Sequence, residues 1–325
     1  MVLSQLQVEG TDQTVIEQSN TSARSLLQNH LKATVLLGGS VRTNAMAEAI
    51  GRLVIDLPVD GNGTIFGLWI EHVEQLVQRL GHQHHEIRLL IDQKAHDPWK
   101  PVKSHHATIR IERDPLELRG TGGLLRDLAE AYDDDDLILV APAGYVLLNP
   151  LTDLVDALAS LEADVSLISH EEGTPSGLMI VRCGCLRSIP EIGFVDMKEQ
   201  ALPEIARHRR VSVIHRTQAT GLPITTLVGY IRALRAHHLN QLGVNTLGDA
   251  FAEEWRTAFA IMENSSSVHP SAQVHDSVIL AGGRVESGAV VARSIVCPNG
   301  VVRRNETVVD SIVSTSIGQR KRRRK

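Results

Sequence analysis

Apolar and polar residues follow two alternating patterns along residues 33–240. Short runs of Leu, Val and Ile bounded by polar residues predict strands at 33–37, 87–91, 108–111, 137–140, 164–169, 178–181 and 211–214. Apolar residues that recur every three or four positions predict helices at 44–53, 65–80, 122–131, 150–160, 199–207 and 226–240. Strands that alternate with helices predict an α/β fold, in which helices cover both faces of a Rossmann-like, mostly parallel sheet.

A different pattern follows the polar run Glu263–Ser267. Ser277, Ser294 and Ser311 stand 17 residues apart in similar surroundings, and apolar residues recur within each period in steps of six, six and five. Short strands with this spacing form a three-sided coil whose turns cover each other's edges. The pattern resembles hexapeptide-repeat proteins, so we expect a short left-handed parallel β-helix; an irregular β-rich tail is the alternative.

These patterns predict five segments. They are an N-terminal extension that is loosely attached (1–32), the α/β domain (33–240), a linker with a helix over about 246–262 (241–266), the β-helix (267–315) and a basic disordered tail (316–325).

The composition is that of a globular chain. Hydrophobic residues make up 42% but aromatic residues only 3%, so the core is expected to be aliphatic. No run approaches the roughly 18 apolar residues of a membrane helix, and the N-terminus does not resemble a signal peptide. We therefore expect a cytoplasmic protein. Cys183, Cys185 and Cys297 are expected to be free thiols, because three cysteines do not suggest a disulfide framework here.

The formal net charge of −5 conceals an asymmetry. Residues Arg320–Lys325 are all basic, whereas the rest of the chain is acidic. We interpret this run as a solubilising tail; contact with a polyanion, such as nucleic acid or an anionic membrane, is the alternative.

A glycine pair follows the first predicted strand. Gly38, Gly39 and Ser40 stand between this strand and a helix. Glycines at such a turn let backbone N–H groups approach phosphate oxygens, and the helix N-terminus adds a favourable partial charge. Many α/β turns contain glycine for steric reasons alone, so this turn by itself is weak support for a phosphate site.

Six segments, in order, resemble the sugar-1-phosphate nucleotidyltransferases, or NDP-sugar pyrophosphorylases. They are Leu37–Arg42, similar to Gly-Gly-x-Gly-x-Arg; Leu57–Val59, similar to Leu-Pro-Val; Gly120–Leu125, similar to Gly-Thr-Ala-Gly-x-Leu; Ser176–Met179, similar to a sugar-binding turn; Phe194–Pro203, similar to Phe-Asp-x-Lys-Glu-x-x-x-Pro; and Ile224–Tyr230, similar to Asp-Ile-Gly-Thr-Pro-Glu-Asp-Tyr. With the predicted β-helix, the chain resembles mannose-1-phosphate guanylyltransferase or glucose-1-phosphate nucleotidyltransferase.

The resemblance implies a reaction and a set of site residues. The reaction forms an NDP-sugar and pyrophosphate from an NTP and a sugar 1-phosphate, with Mg²⁺. The implied residues are Arg42 for catalysis; Gly38, Gly39, Ser40, Gly120, Thr121, Gly122 and Gly123 for the nucleotide; and Gly177, Lys198 and Glu199 for the sugar. The implied partners are nucleotide and sugar phosphate or NDP-sugar, together with a second copy of the chain or an active paralogue.

The family's charged positions are altered in this chain. Tyr145 and Pro223 stand where the family has the two carboxylates that hold Mg²⁺, so we predict no metal ligand at either position. Arg42 stands one residue early, and only Arg52 lies near the expected lysine position at Val54. Each lost electrostatic stabiliser typically costs about 100-fold or more in rate. The two hypotheses are a divergent enzyme and a non-catalytic binding or regulatory paralogue, and we favour the second.

Other polar clusters admit simpler interpretations. The clustered residues are His82, His84 and His85 with His96, His105 and His106; Asp133–Asp136; and His269 with His275. The histidines match no zinc-finger spacing, and we interpret the first group as a solvated loop. The aspartates are interpreted as a charged turn rather than a metal site. An acyltransferase-like base in the β-helix is disfavoured because such sites need more coils.

Overall fold

The computed structural model describes residues 13–39, 45–82, 84–98, 103–114, 119–170, 175–241 and 258–314. The strands of its N-terminal part are β1 (Leu31–Leu37), β2 (Glu86–Ile91), β3 (Thr108–Arg113), β4 (Leu137–Pro142), β5 (Tyr145–Leu147), β6 (Val165–His170), β7 (Pro175–Arg182), β8 (Val211–Arg216) and β9 (Gly221–Pro223).

Seven of these strands form one sheet in the order β3-β2-β1-β4-β7-β6-β8. Neighbouring strands are parallel except for β7, which runs antiparallel to β4 and to β6. The prediction of a mostly parallel sheet is confirmed, and each predicted strand overlaps an observed one, although the strand predicted from Asp164 begins at Val165. β5 and β9 pair separately as a two-stranded antiparallel sheet.

Helices cover both faces of the sheet. They are α1 (Gln13–His30), α2 (Ala45–Ile50), α3 (Ile65–Leu80), α4 (Gly120–Ala129), α5 (Leu151–Ala159), α6 (Cys183–Leu186), α7 (Leu202–Ile205) and α8 (Leu227–Gln241), with a 3₁₀ turn at Val54–Asp56 and a π-helical turn at Met197–Ala201. Successive strand residues alternate between two apolar clusters: Leu139 belongs to the cluster with α3 and α5, and Val140 to the cluster with α4 and α6. Within the described ranges, no helix is long and apolar enough to cross a membrane.

The N-terminal segment is more firmly attached than the sequence suggests. Ala23 and Leu27, four residues apart on α1, are buried in the cluster that holds α3 and α5. The Gln28 side-chain amide also donates a hydrogen bond to the carbonyl of Leu80 at the end of α3. The prediction of a loose extension is therefore wrong from Ala23 onward, because these positions share one helix face.

Residues 260–313 form a coil with three sides. Its strands are β10 (Ala260–Met262), β11 (Ser267–Val268), β12 (Gln273–His275), β13 (Ser277–Ile279), β14 (Arg284–Val285), β15 (Val290–Ala292), β16 (Ile295–Val296), β17 (Val301–Val302), β18 (Thr307–Val309) and β19 (Ile312–Val313). They stack as three all-parallel sheets, β10-β13-β16-β19, β11-β14-β17 and β12-β15-β18. This arrangement is a parallel β-helix. The left-handed sense of its coil stays a prediction.

The corners of the coil repeat with the same period as its strands. One corner places Asp276, Arg293 and Asp310, each 17 residues after the last, at φ values of 45–50°. The period also reaches back before the predicted start, since Ile261 pairs in register with Val278. The prediction that the linker helix continues to residue 262 is therefore wrong: Ala260–Met262 is the first strand of the coil. Residues 242–257 lie outside the described ranges.

A ladder of serines joins successive coils. The amide of Ser294 donates to Ser277 Oγ at 3.0 Å, and the amide of Ser311 donates to Ser294 Oγ at 3.0 Å. Ser294 is fully buried, and its hydroxyl donates to the carbonyl of Ala292. The repeating serine therefore supplies an acceptor for the corner amides, while the carbonyl of Ala292 also accepts from the amide of Asp310 at 3.1 Å.

Replacing the middle serine, Ser294→Ala, should lower the free energy of unfolding by about 1–2 kcal/mol, because an amide and a carbonyl each lose a partner. Thermal denaturation of this variant should be compared with Ser267→Ala, the same change at an exposed position of β11. Equal melting temperatures for the two variants would show that the ladder contributes nothing.

Candidate functional site

A cavity of about 480 Å³ lies at the carboxyl ends of β1, β2 and β4. From β1 the chain proceeds outward through β2 to β3, and then returns to place β4 on the other side of β1. The strand order therefore reverses between β1 and β4. A crevice forms at such a reversal because the connections that leave the two strands diverge to opposite sides, and ligands of open α/β sheets bind there.

Five parts of the chain line the cavity. The lining residues are Leu37–Gly39 at the end of β1; Ala47, Glu48 and 51–56 around α2 and the 3₁₀ turn; Asp92 and Lys94–His96 after β2; Pro142, Gly144 and Tyr145 between the end of β4 and the start of β5; and Ile224 and Thr225 after β9.

The predicted glycine turn lies in this cavity, and its two glycines have different structural roles. The amide of Gly38 donates to the carbonyl of Leu90 at 2.7 Å, and a Cβ on Gly38 would lie 2.8 Å from that oxygen. Gly38 therefore allows β1 and β2 to approach closely. Gly39 has a φ of 99°, which favours glycine, and it turns the chain away from the strand end. Ser40 and Arg42 lie outside the described residues.

The two positions expected for metal ligands are neighbours at the edge of the cavity: Tyr145 lines it, and Pro223 pairs with Tyr145 beside it. Tyr145 and Pro223 are 78 residues apart in the chain but are direct cross-strand partners in the β5–β9 ladder. The adjoining amide of Ile224 donates to the carbonyl of Gly144 at 2.8 Å. Burial raises the pKa of Tyr145, so its phenol is neutral at neutral pH. A neutral phenol and a proline offer no anionic ligand, and this pair therefore does not fit Mg²⁺.

The described wall carries more acidic than basic side chains. The lining includes Glu48, Asp56 and Asp92 against Arg52 and Lys94, and of these Asp56 and Arg52 are buried. The charge of Arg52 is offset by an ion pair with Glu263, with 2.8 Å between Nη1 and Oε1. Among the described residues, no group of three His, Cys, Asp or Glu side chains is placed to hold a metal ion.

Sequence reasoning missed several lining residues. Asp92, Lys94 and His96 follow β2 directly, and β2 lies beside β1 in the sheet. Because the carboxyl ends of parallel neighbours meet at one edge, polar residues after the strand predicted at 87–91 could have been proposed for the site. Asp56 carried no comparable signal, since it follows the apolar run Leu53–Ile55.

The second glycine segment has a structural role away from this cavity. Gly120–Gly123 form the first turn of α4 rather than a separate turn. The amide of Gly122 donates to the carbonyl of Val195 at 2.9 Å, and a Cβ on Gly120 would lie 2.4 Å from that oxygen. The helix therefore needs small residues here to pack on Val195. Neither these glycines nor Thr121, which accepts from the amide of Met197, line the cavity.

The residues predicted for the sugar are also separate from the cavity. Gly177, in β7, has a φ of 84°, and a Cβ there would lie 3.1 Å from the ring of Pro142, which does line the cavity. Gly177 thus lies behind the wall. Lys198 and Glu199 are exposed in the π-helical turn, where both amides donate to the Asp196 carboxylate. The roles of these residues toward a sugar stay predictions.

Several residues of the other clusters singled out in the sequence have structural roles, whereas His96 lines the cavity. His85 is buried and shares a hydrogen bond with Thr34 in β1, and His82 contacts the carbonyls of Leu27 and Gln28. The interpretation as a solvated loop is therefore wrong for these two histidines. The aspartates form a turn in which Asp136 accepts from the amide of Asp133. The predicted free thiols are present, and all three are buried.

The sequence matches no known protein family and no curated protein. Three solved structures are similar to about two thirds of the chain. A homologue of Mycobacterium tuberculosis rv0371c from Mycobacterium sp. strain JC1 is 15% identical, with a TM-score of 0.46 over 67% of this chain and 98% of its own. HddC from Yersinia pseudotuberculosis is 17% identical, with a TM-score of 0.45 over 64% of this chain and 100% of its own. The same protein complexed with GMP-PN is 16% identical, also with a TM-score of 0.45 over 64% and 100%. Likenesses this distant do not define an activity or a ligand.

Proposed function

We propose that this chain binds a nucleotide or an NDP-sugar in the cavity at the ends of β1 and β4, as a non-catalytic relative of the sugar-1-phosphate nucleotidyltransferases. The observation that carries the proposal is the position of the cavity. It lies at the reversal of strand order and contains the glycine turn that the sequence singles out. Its volume of about 480 Å³ is within the range of small-ligand sites.

The same site argues against efficient transfer. Attack on an α-phosphorus requires that concentrated negative charge be neutralised, normally by Mg²⁺ and by Arg or Lys side chains. Tyr145 and Pro223 occupy the paired positions at which the resemblance expects carboxylates. Arg52, nearest to the expected lysine, is bound to Glu263. The protein then serves to sense or present its ligand, alone, as a homo-oligomer, or with an active paralogue.

The charge of the wall favours an NDP-sugar over an NTP. Glu48 and Asp92 repel a triphosphate more strongly than a diphosphate diester, which carries less negative charge. We therefore expect the ligand to be the product of the family's reaction rather than its substrate.

An assay of pyrophosphate release tests whether the chain is an enzyme. The protein is incubated with Mg²⁺, each NTP, and mannose or glucose 1-phosphate, and we expect no release above the rate without protein. Turnover would overturn the non-catalytic assignment and favour a divergent nucleotidyltransferase.

Ligand binding should depend little on metal. Removing Mg²⁺ with EDTA should change the dissociation constant of an NDP-sugar by less than about tenfold, or roughly 1.4 kcal/mol, because Tyr145 and Pro223 provide no anionic ligand. Calorimetric titration of the parent protein with and without EDTA measures the effect. The matched variant Tyr145→Asp/Pro223→Asp restores two carboxylates across the β5–β9 ladder and should gain a dependence on Mg²⁺. A larger loss in the parent would reveal metal ligands other than these positions.

A further inference from the structure

A buried ion pair joins the cavity wall to the β-helix. Arg52 lies just after α2, in the segment 51–56 that lines the cavity, and Glu263 follows the first strand of the coil. Their side chains are only 2% and 5% exposed, and Nη1 and Oε1 are 2.8 Å apart. A charge pair this deeply buried depends strongly on its geometry, because little solvent is present to replace either partner.

The coil, rather than the α/β sheet, holds the carboxylate. The second oxygen of Glu263 accepts a hydrogen bond from the amide of Ala281 at 2.8 Å, and the amide of Glu263 donates to the carbonyl of Ile279 at 3.0 Å. Ile279 is the last residue of β13, and Ala281 follows it. The carboxylate that binds the Arg52 guanidinium is therefore fixed by the first two coils of the β-helix.

The surroundings of the pair are shared between the two parts of the chain. Val278, Leu280, Ile295 and Cys297 turn away from the coil interior and join the apolar cluster that includes α3 and α8. Burial raises the pKa of the Cys297 thiol to about 11, and the charge of Arg52 opposes that rise. We call this contact region the junction.

We propose that Glu263 is a positioning residue for the ligand site, and that docking of the β-helix and ligand binding in the cavity are energetically coupled through the Glu263–Arg52 pair. The inference rests on the proposed function of the cavity. Arg52 forms part of the cavity wall, and the carboxylate that binds it, Glu263, belongs to the coil. By linkage, if docking of the coil strengthens ligand binding by some factor, then ligand binding must favour the docked coil by the same factor.

The test uses the full chain and the variant Glu263→Gln, which keeps the size of the side chain but removes its charge. The control is Asp276→Asn, which weakens a second ion pair of the same junction, between Asp276 and Arg235. Asp276 does not line the cavity. The probe is whichever of GDP-mannose and UDP-glucose the parent binds more tightly, titrated by calorimetry well below the melting temperature.

We expect Glu263→Gln to bind the probe at least tenfold more weakly, and Asp276→Asn to stay within about twofold of the parent. Glu263→Asp, which keeps the charge, should recover part of the affinity. In the parent, the probe should slow hydrogen exchange of the amides in 259–285, an effect that a purely structural role for the pair would not produce.

The outcomes separate the two proposals. A parent that binds neither probe refutes the proposed function, and this inference with it. A parent that binds, with Glu263→Gln and Asp276→Asn both unaffected, refutes the coupling and leaves the proposed function standing. Equal weakening by the two variants overturns the assignment of the coupling to the Glu263–Arg52 pair. If Glu263→Gln fails to fold, hydrogen exchange in the parent decides: unchanged exchange in 259–285 on probe binding overturns the coupling.

Discussion

Gly39→Val should weaken binding of an NDP-sugar by at least about 100-fold, or roughly 2.8 kcal/mol. Gly39 follows β1 at the cavity edge with a φ of 99°, a conformation that a β-branched residue rarely adopts. Strain of this kind costs on the order of 1–3 kcal/mol, and the loop can avoid it only by moving the backbone amides that face the ligand. Two added methyl groups would also occupy part of the cavity.

The matched control for this variant is Gly81→Val. Gly81 ends α3 with a φ of 72°, and a Cβ there would meet no atom within 4 Å. The control therefore imposes similar backbone strain outside the cavity, and it should lower stability without changing affinity. Calorimetric titration of both variants with the NDP-sugar measures the two affinities. Equal affinity in Gly39→Val and the parent would place the ligand elsewhere.

Arg52→Ala should lower the free energy of unfolding by about 3–5 kcal/mol, the usual cost of removing one partner from a buried ion pair. The change leaves the Glu263 carboxylate buried at the junction with the amide of Ala281 but without the guanidinium. Tyr230 lies within the same electrostatic environment. Its pKa is raised well above the usual range by burial and by the charge of Glu263. Chemical denaturation measures the loss.

Two further variants identify the cause of this loss of stability. Arg52→Met/Glu263→Met removes both charges, and it should be more stable than Arg52→Ala because no unpaired charge stays buried. Arg79→Ala breaks the ion pair between Arg79 and Asp156, whose two side chains are 44% and 36% exposed, respectively. This change should lower the free energy of unfolding by less than about 1 kcal/mol. If Arg52→Ala cost no more than Arg79→Ala, the junction would not depend on its ion pair.

The sequence predicted the elements well because their patterns are local. The helix expected at 65–80 is α3 without any shift of its ends, since its apolar face and its N-cap Thr64 define it within one segment. The 17-residue period predicted the stacking of the coil for the same reason. Its start was missed because Ala260–Met262 carries only one repeat-like residue, Ile261, whose partner Val278 comes a full coil later.

The site was predicted less completely because it is assembled from distant segments. The glycine turn was found, but Asp56, Asp92 and Lys94 reach the cavity only through the strand order of the sheet. Leu280 illustrates the same limit. Leu280 stands six residues after Val274, one of the six-residue steps of the repeat, and this spacing predicts a side chain that fills the coil. In the structure Ile279 fills the coil and Leu280 turns to the junction. Spacing alone cannot predict which side of the coil Leu280 faces, because that depends on what packs outside the coil.

Hydrogen–deuterium exchange, with and without a saturating NDP-sugar, tests most directly whether the cavity at the ends of β1 and β4 is the ligand site. We predict that the ligand slows exchange in peptides covering 37–39, 92–96 and 143–145, the chain segments that line it. Peptides covering Gly120–Ala129 should exchange at the same rate in both states. Slowed exchange confined to that helix or to Lys198–Glu199, with none at the ends of β1, β2 and β4, would contradict the account.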